Sequence, residues 1–154
     1  MSAVEGKKIA IVGGGPSGLT LARLLQQGGA QVSVYERDQS RTARVQGSAL
    51  DLHEDSGLAA LEAAGLIDTF WVNHRPDLDR LRLTDAYGAN LHDHPRRMSG
   101  AGQRPEIERG PLRDLLLNSL QPGTVEWECK LESAEMRGEQ VYYVLRVERW
   151  RWPT

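Results

Sequence analysis

The sequence predicts an α/β fold built on a Rossmann-like β-α-β unit in a three-layer arrangement, and three observations predict it. A short apolar run, Ile9-Ala10-Ile11-Val12, reads as a strand, and a turn holding Gly13, Gly15 and Gly18 follows at once. A helical run from Leu19 to Gln27 comes next, with Leu21, Leu24 and Leu25 on one face and Arg23, Gln26 and Gln27 off it. Past Gly28-Gly29, which suits a left-handed helix cap, Gln31 to Tyr35 reads as a second strand with alternating Val32 and Val34. Such a unit is right-handed by default.

The glycine spacing is G-x-G-x-x-G in its required setting of strand, turn and helix. Gly13 suits the tight turn, Gly15 lets backbone approach a pyrophosphate, and Gly18 lets helix and strand pack closely. Peptide N–H groups at the helix start, at the positive end of its dipole, suit phosphate. Glu36 ends the second strand, about 20 residues beyond the turn, where a carboxylate accepts hydrogen bonds from an adenosine ribose and disfavours a 2′-phosphate. The pattern and Glu36 together predict a dinucleotide site.

The 154 residues suffice for one domain with a real core, and 40% hydrophobic and 26% charged residues fit a globular protein. A net charge of −2 gives no broad electrostatic attraction for nucleic acid or an anionic membrane. Cys129 is the single cysteine, which excludes an internal disulfide and a cysteine-based metal site. No apolar run approaches the roughly 18–20 residues that span a bilayer, and Met1 to Lys8 is too short and polar for a signal peptide. A cytoplasmic monomer without nucleic-acid or membrane partners is expected. His92 and His94 lack a third ligand at recognisable spacing, so no metal site is expected.

Arg37 to Val45 is polar and basic and reads as a loop. Gly47 to His53 turns into a helical stretch with Leu58, Leu61 and Ala64 on one face, stopped by Gly65, and Leu66 to Val72 continues it. Leu81 to Thr84 and Ala89 to Leu91, around Asp85-Ala86-Tyr87-Gly88, predict a hairpin, followed by a loop over His92 to Gly102. Pro111 suits the first position of a helix carrying Leu112, Leu115, Leu116 and Leu120, which Pro122-Gly123 ends. Val125 to Trp127 is a third strand candidate, and Leu131 to Met136 pairs with Val141 to Val147 around Arg137-Gly138-Glu139. The long stretch from Gln39 to Arg109 intervenes where a plain NAD-binding fold would place its next helix and strand. An insertion of that length suits a larger cofactor or a second layer.

With these residues laid out, the chain resembles the N-terminal part of FAD-dependent aromatic-ring monooxygenases, and within them the TetX-type tetracycline-inactivating enzymes. The matching stretches are IAIVGGGPSGLTLARLLQQGG, VSVYERD, Arg41 through Gly47 to His53, SGLAALEAAGL and PEIERGPLRDLLLNSL. The resemblance implies an FAD-binding domain over residues 1–147, with a hairpin at residues 80–92 belonging to the substrate-side layer. It implies that Gly13, Gly15, Pro16, Ser17 and Gly18 hold the FAD pyrophosphate, Glu36 the ribose, and that Arg37 lies at the adenine end. Arg44 matches an arginine linked to incoming NADPH, Asp51 an aspartate near the flavin, and Arg109 an arginine contacting FAD. Each has a plainer alternative: a solvated loop cation for Arg44, a helix N-cap for Asp51, and a surface ion pair with Glu106 or Glu108 for Arg109. His53 reads as a capping or surface histidine, and Trp127 as core.

In that family NADPH transiently reduces FAD, and one atom of molecular oxygen reaches an aromatic or polyketide substrate. The flavin carries this chemistry, so no side chain is named as catalytic. Family members run more than twice this length, and the closing residues 148–154, with Trp150-Arg151-Trp152, match no family segment. The sequence alone therefore suggests an N-terminal fragment with an atypical tail from a truncated or shifted reading frame, an exposed sheet edge beside strand one, and weak flavin binding and hydroxylation. Two other functions stay open: a nicotinamide-dependent dehydrogenase domain, and a non-catalytic remnant or partner-binding module.

Overall fold

The computed structural model describes residues 2–43, 47–76, 81–94, 104–138 and 140–147. They fall into two compact units, residues 1–45 with 116–154 and residues 46–115.

The first unit is built on the predicted β-α-β motif. Strands β1 (Lys8–Val12) and β2 (Gln31–Tyr35) pair in parallel, Lys8 opposite Gln31 through Val12 opposite Tyr35, with helix α1 (Pro16–Gln27) between them in the chain. Helix α1 starts at Pro16, three residues before the predicted Leu19. Proline brings no N–H to satisfy and a φ already suited to a helix, so the first turn forms where apolar periodicity gives no sign of it. Its end is as the sequence indicates: Gly29 takes the left-handed conformation at φ +84°, and the N–H groups of Gly28, Gly29 and Ala30 bond back to Leu24, Gln26 and Leu25. Ile11, Ala22 and Val34 form the buried centre, with Ile9, Leu25, Val32, Leu120 and Val125 packed on it. Among the described residues the sheet order is β1-β2-β7, with β7 (Val125–Glu126) parallel to β2 and β1 at the edge.

Strands β8 (Cys129–Arg137) and β9 (Gln140–Val147) form an antiparallel ribbon, longer by two residues at the start of β8 than the sequence suggests. The turn between β7 and β8 holds Glu128 at φ +61°, a left-handed conformation rare outside glycine. Its N–H donates to the Asp38 carbonyl at 2.9 Å. Trp127, expected in the core, is half-buried.

The second unit departs from the sequence reading at its start. Leu50–Asp51 is not the approach to a helix but a short strand, β3, antiparallel to β6 (Glu106–Ile107), with Asp51 opposite Glu106. Helical winding begins later, as a π-helical turn over Glu54–Leu58 that runs on into α2 (Ala59–Ala63). The N-cap position is therefore His53, without a side-chain capping bond, and the N-cap alternative for Asp51 is overturned. Helix α3 (Ile67–Asn73) follows, with Phe70 fully buried. Strands β4 (Leu81–Thr84) and β5 (Asn90–His94) form the expected hairpin, whose turn is held by the Asp85 carboxylate accepting from the N–H groups of Tyr87 and Ala89. Strand β5 extends to His94, past the point where a loop is predicted, because pairing with β4 carries polar residues that alternation alone does not mark.

Helix α4 (Arg109–Ser119) begins two residues before Pro111, which is thus its third residue rather than its first. That position still lies in the turn whose N–H groups have no intrahelical partner, so proline costs nothing there. The tail at residues 148–154 and Arg44 lie outside the described residues.

Candidate functional site

The glycine turn joins β1 to α1. Gly13 adopts φ +103°, open to glycine and strained for other residues, and its N–H donates to the Tyr35 carbonyl at 2.9 Å. Gly18 makes the close approach: a Cβ there would stand 2.1 Å from the Gly13 carbonyl oxygen. Gly15 is different. It is the N-cap of α1, exposed, at φ −79° and ψ 174°, and a Cβ there would meet no protein atom within 4 Å. Its backbone faces open space, which is the property required of a surface on which a ligand's phosphates rest.

At the start of α1, Pro16 has no N–H, and the Leu19 N–H is taken by the Gly15 carbonyl at 3.0 Å. Gly15, Ser17 and Gly18 then carry the N–H groups that a helix start leaves for an external acceptor. No acidic residue lies in the first turn of α1, so no fixed negative charge opposes an anion there.

Glu36 is 5% exposed although charged. Its Oε2 accepts from the Gly14 N–H at 2.6 Å and its Oε1 from the Asp38 N–H at 3.0 Å. The strand end places it: its own N–H donates to the Glu126 carbonyl and its carbonyl accepts from the Cys129 N–H. The partnership with Gly14 is absent from the sequence reading, which assigns tasks only to the first, third and sixth positions of the turn. The available signal was a glycine at a position where the pattern admits any residue. Arg37 follows in the chain and is exposed.

Asp51 and Arg109 belong to the second unit and are placed only within it. Asp51 is exposed in β3, its Oδ2 3.5 Å from His53 Nε2. Arg109 is exposed in the first turn of α4, and the ion pair of Glu108 goes to Arg75 rather than to Arg109. One helical turn on, Arg113 is 3% exposed, a buried cation that the sequence reading does not single out. Among the described residues no group of three or more His, Cys, Asp or Glu could hold a metal ion. No described helix is long and apolar enough to cross a membrane.

A parallel β-α-β unit with a glycine turn of this geometry, closed by a strand-end glutamate, defines a dinucleotide-binding α/β protein. Residues 7–144 match the family described as FAD binding domain, and the chain belongs to that family. Among curated relatives it is 38% identical over 130 residues to monooxygenase asqM of Emericella nidulans, covering 80% of this chain and 28% of that protein. It is 36% identical over 129 residues to monooxygenase penA of Penicillium thymicola, covering 80% and 29%. A shorter match, 33% over 92 residues and 60% of this chain, is to 6-methylpretetramide 4-monooxygenase of Streptomyces rimosus, of which 21% is covered. The chain thus spans under a third of the length of these relatives.

Solved structures share the fold. Tetracycline destructase Tet(55) matches 95% of this chain and 36% of its own at TM-score 0.70 and 24% identity. HpxO of Klebsiella pneumoniae complexed with FAD matches 90% and 35% at TM-score 0.67 and 20% identity. The curated relatives it matches are named as monooxygenases.

Proposed function

We propose that this chain carries the adenosine- and pyrophosphate-binding part of an FAD-dependent, NADPH-reduced monooxygenase acting on an aromatic polyketide. The observation that carries the reading is the glycine turn: N–H groups of Gly15, Ser17 and Gly18 at a helix start, beside open space at Gly15, with the buried Glu36 carboxylate at the neighbouring strand end. Gly13, Gly15, Pro16, Ser17 and Gly18 would hold the pyrophosphate. Both Glu36 oxygens accept one N–H each and keep lone pairs for the ribose hydroxyls. Arg37 would lie at the adenine end, and Asp51 and Arg109 would serve the flavin. Arg44 would meet NADPH. Bound FAD supplies electron transfer from NADPH and the activation of oxygen, while the protein binds, orients and shields it.

The substrate class rests on what two relatives are called: the polyketide 6-methylpretetramide for one, tetracycline for the destructase structures. Tetracycline inactivation is the specific form of this reading. The hairpin of β4 and β5 would belong to the substrate-side layer. A nicotinamide dehydrogenase is the competing use of the same turn. Fluorescence titration with FAD, followed by competition with NADH, separates them. The proposal expects FAD to bind and NADH at equal concentration to leave it in place. NADH binding more tightly than FAD would reverse the assignment.

A further inference from the structure

We propose that Glu36 is a positioning residue for the glycine turn: through the Gly14 N–H it sets the peptide geometry that presents Gly15, Ser17 and Gly18 to a pyrophosphate. Its bearing on FAD rests on the function proposed above; the contact itself does not.

The argument begins with burial. A carboxylate 5% exposed needs hydrogen-bonded partners, and Glu36 takes both from backbone N–H groups, Gly14 at 2.6 Å and Asp38 at 3.0 Å. Its backbone is bonded on both sides, to Glu126 at 2.8 Å and Cys129 at 2.9 Å. The carboxylate is thus delivered to the turn from a fixed point in the sheet. On the other side, Gly14 is itself buried, and its conformation is not left-handed. What crowds position 14 is Glu36: a Cβ there would lie 3.1 Å from Oε2 and 3.3 Å from Cβ and Cγ of Glu36, so the carboxylate side chain would have to give by a few tenths of an ångström. Gly14 and Glu36 are therefore one unit.

Two of the three turn peptides before α1 are then tied to β2 and its end, the Gly13 N–H to Tyr35 and the Gly14 N–H to Glu36. The next peptide N–H, that of Gly15, is presented from a turn held at both preceding residues. Preorganised donors lose less entropy on binding than mobile ones. Glu36 consequently supports affinity twice, once by accepting from the ribose and once by holding the turn, and a ribose acceptor alone would not do the second.

Amide hydrogen exchange of Gly14 in the flavin-free chain, alongside FAD titration, separates the two roles. In Glu36→Ala the Gly14 amide should exchange about tenfold faster or more, the order expected on losing a hydrogen bond to a charged group. Glu36→Gln keeps a carbonyl acceptor at the same reach and should retain most of the protection. Glu36→Asp keeps the carboxylate but withdraws it by one methylene. It should expose the Gly14 amide as alanine does, which keeps the test available where Glu36→Ala fails to fold. In FAD binding, Gly14→Ala and Glu36→Ala should be non-additive, the double variant losing little more than the worse single one. Unchanged Gly14 exchange in folded Glu36→Ala and Glu36→Asp, or additive losses of FAD affinity, would overturn the proposal. A wild-type chain that does not take up FAD sinks the cofactor reading, while the exchange data still decide the contact.

Discussion

At the scale of single residues, the glycines of the turn separate into those the fold needs, Gly13 and Gly18, and Gly15, on which the fold makes no such demand. Gly18 belongs to the first kind. A methyl group there would stand 2.1 Å from the Gly13 carbonyl oxygen, a backbone atom that cannot swing away. Gly18→Ala should therefore destabilise the chain by about 1–3 kcal/mol, the usual cost of overpacking, read as a lower urea midpoint at unchanged slope. These tasks were largely legible in the sequence, because close approach and left-handed φ leave glycine as the only choice. The Gly14–Glu36 contact was not, since it joins residues on different elements and the pattern allows any residue between its first two glycines. The N-cap alternative for Asp51 failed for a related reason. Aspartate favours an N-cap whenever helical periodicity follows, and nothing local shows that Glu106 will pair across from it.

At the scale of elements, helical periodicity made α1 and α4 visible and turn residues marked the β4–β5 hairpin and the β8–β9 ribbon, while the two-residue strands β3 and β6 are too short to carry a period. Their pairing depends on residues far apart in the chain, which local reasoning does not see. The ribbon has a specific tie to the sheet: the Tyr35 hydroxyl of β2 lies 3.1 Å from the Tyr143 hydroxyl of β9, with ring centroids 5.5 Å apart. The Tyr143 hydrogen bond, then burial, pushes Tyr35 up from 10.0 to about 12. A neutral phenol whose folded value is raised contributes stability that is full below pH 10 and lost as pH climbs through about 12. Titration of absorbance at 295 nm should show one late tyrosine, and Tyr143→Phe should bring that step down. A late step that persists in Tyr143→Phe would detach the shift from the hydrogen bond. In the second unit, α3 is fixed by Phe70, fully buried with its ring centroid 5.0 Å from that of Trp71. Phe70→Ala should cost about 3–5 kcal/mol in chemical denaturation, and a loss under 1 kcal/mol would contradict its place in the core.

At the scale of the whole molecule, two compact units carry the matched family residues, the glycine turn and Glu36 in one, Asp51 and Arg109 in the other. The chain covers 28–29% of the two fungal relatives, and NADPH, oxygen transfer and substrate belong to the proposed function rather than to the family match. The central claim is narrower: FAD rests on the turn before α1. Gly15 tests it most directly, because φ −79° and ψ 174° are open to any residue, and a Cβ there would meet no protein atom within 4 Å. Gly15→Val should leave the circular dichroism spectrum of the wild type unchanged and cost only the N-cap preference of glycine over valine, about 0.5–1 kcal/mol, while placing a branched side chain over the N–H groups of Gly15, Ser17 and Gly18. In parallel FAD titrations the wild type should bind, and Gly15→Val should bind at least about tenfold more weakly, equivalent to about 1.4 kcal/mol. Equal FAD affinity in the two folded proteins would contradict the account.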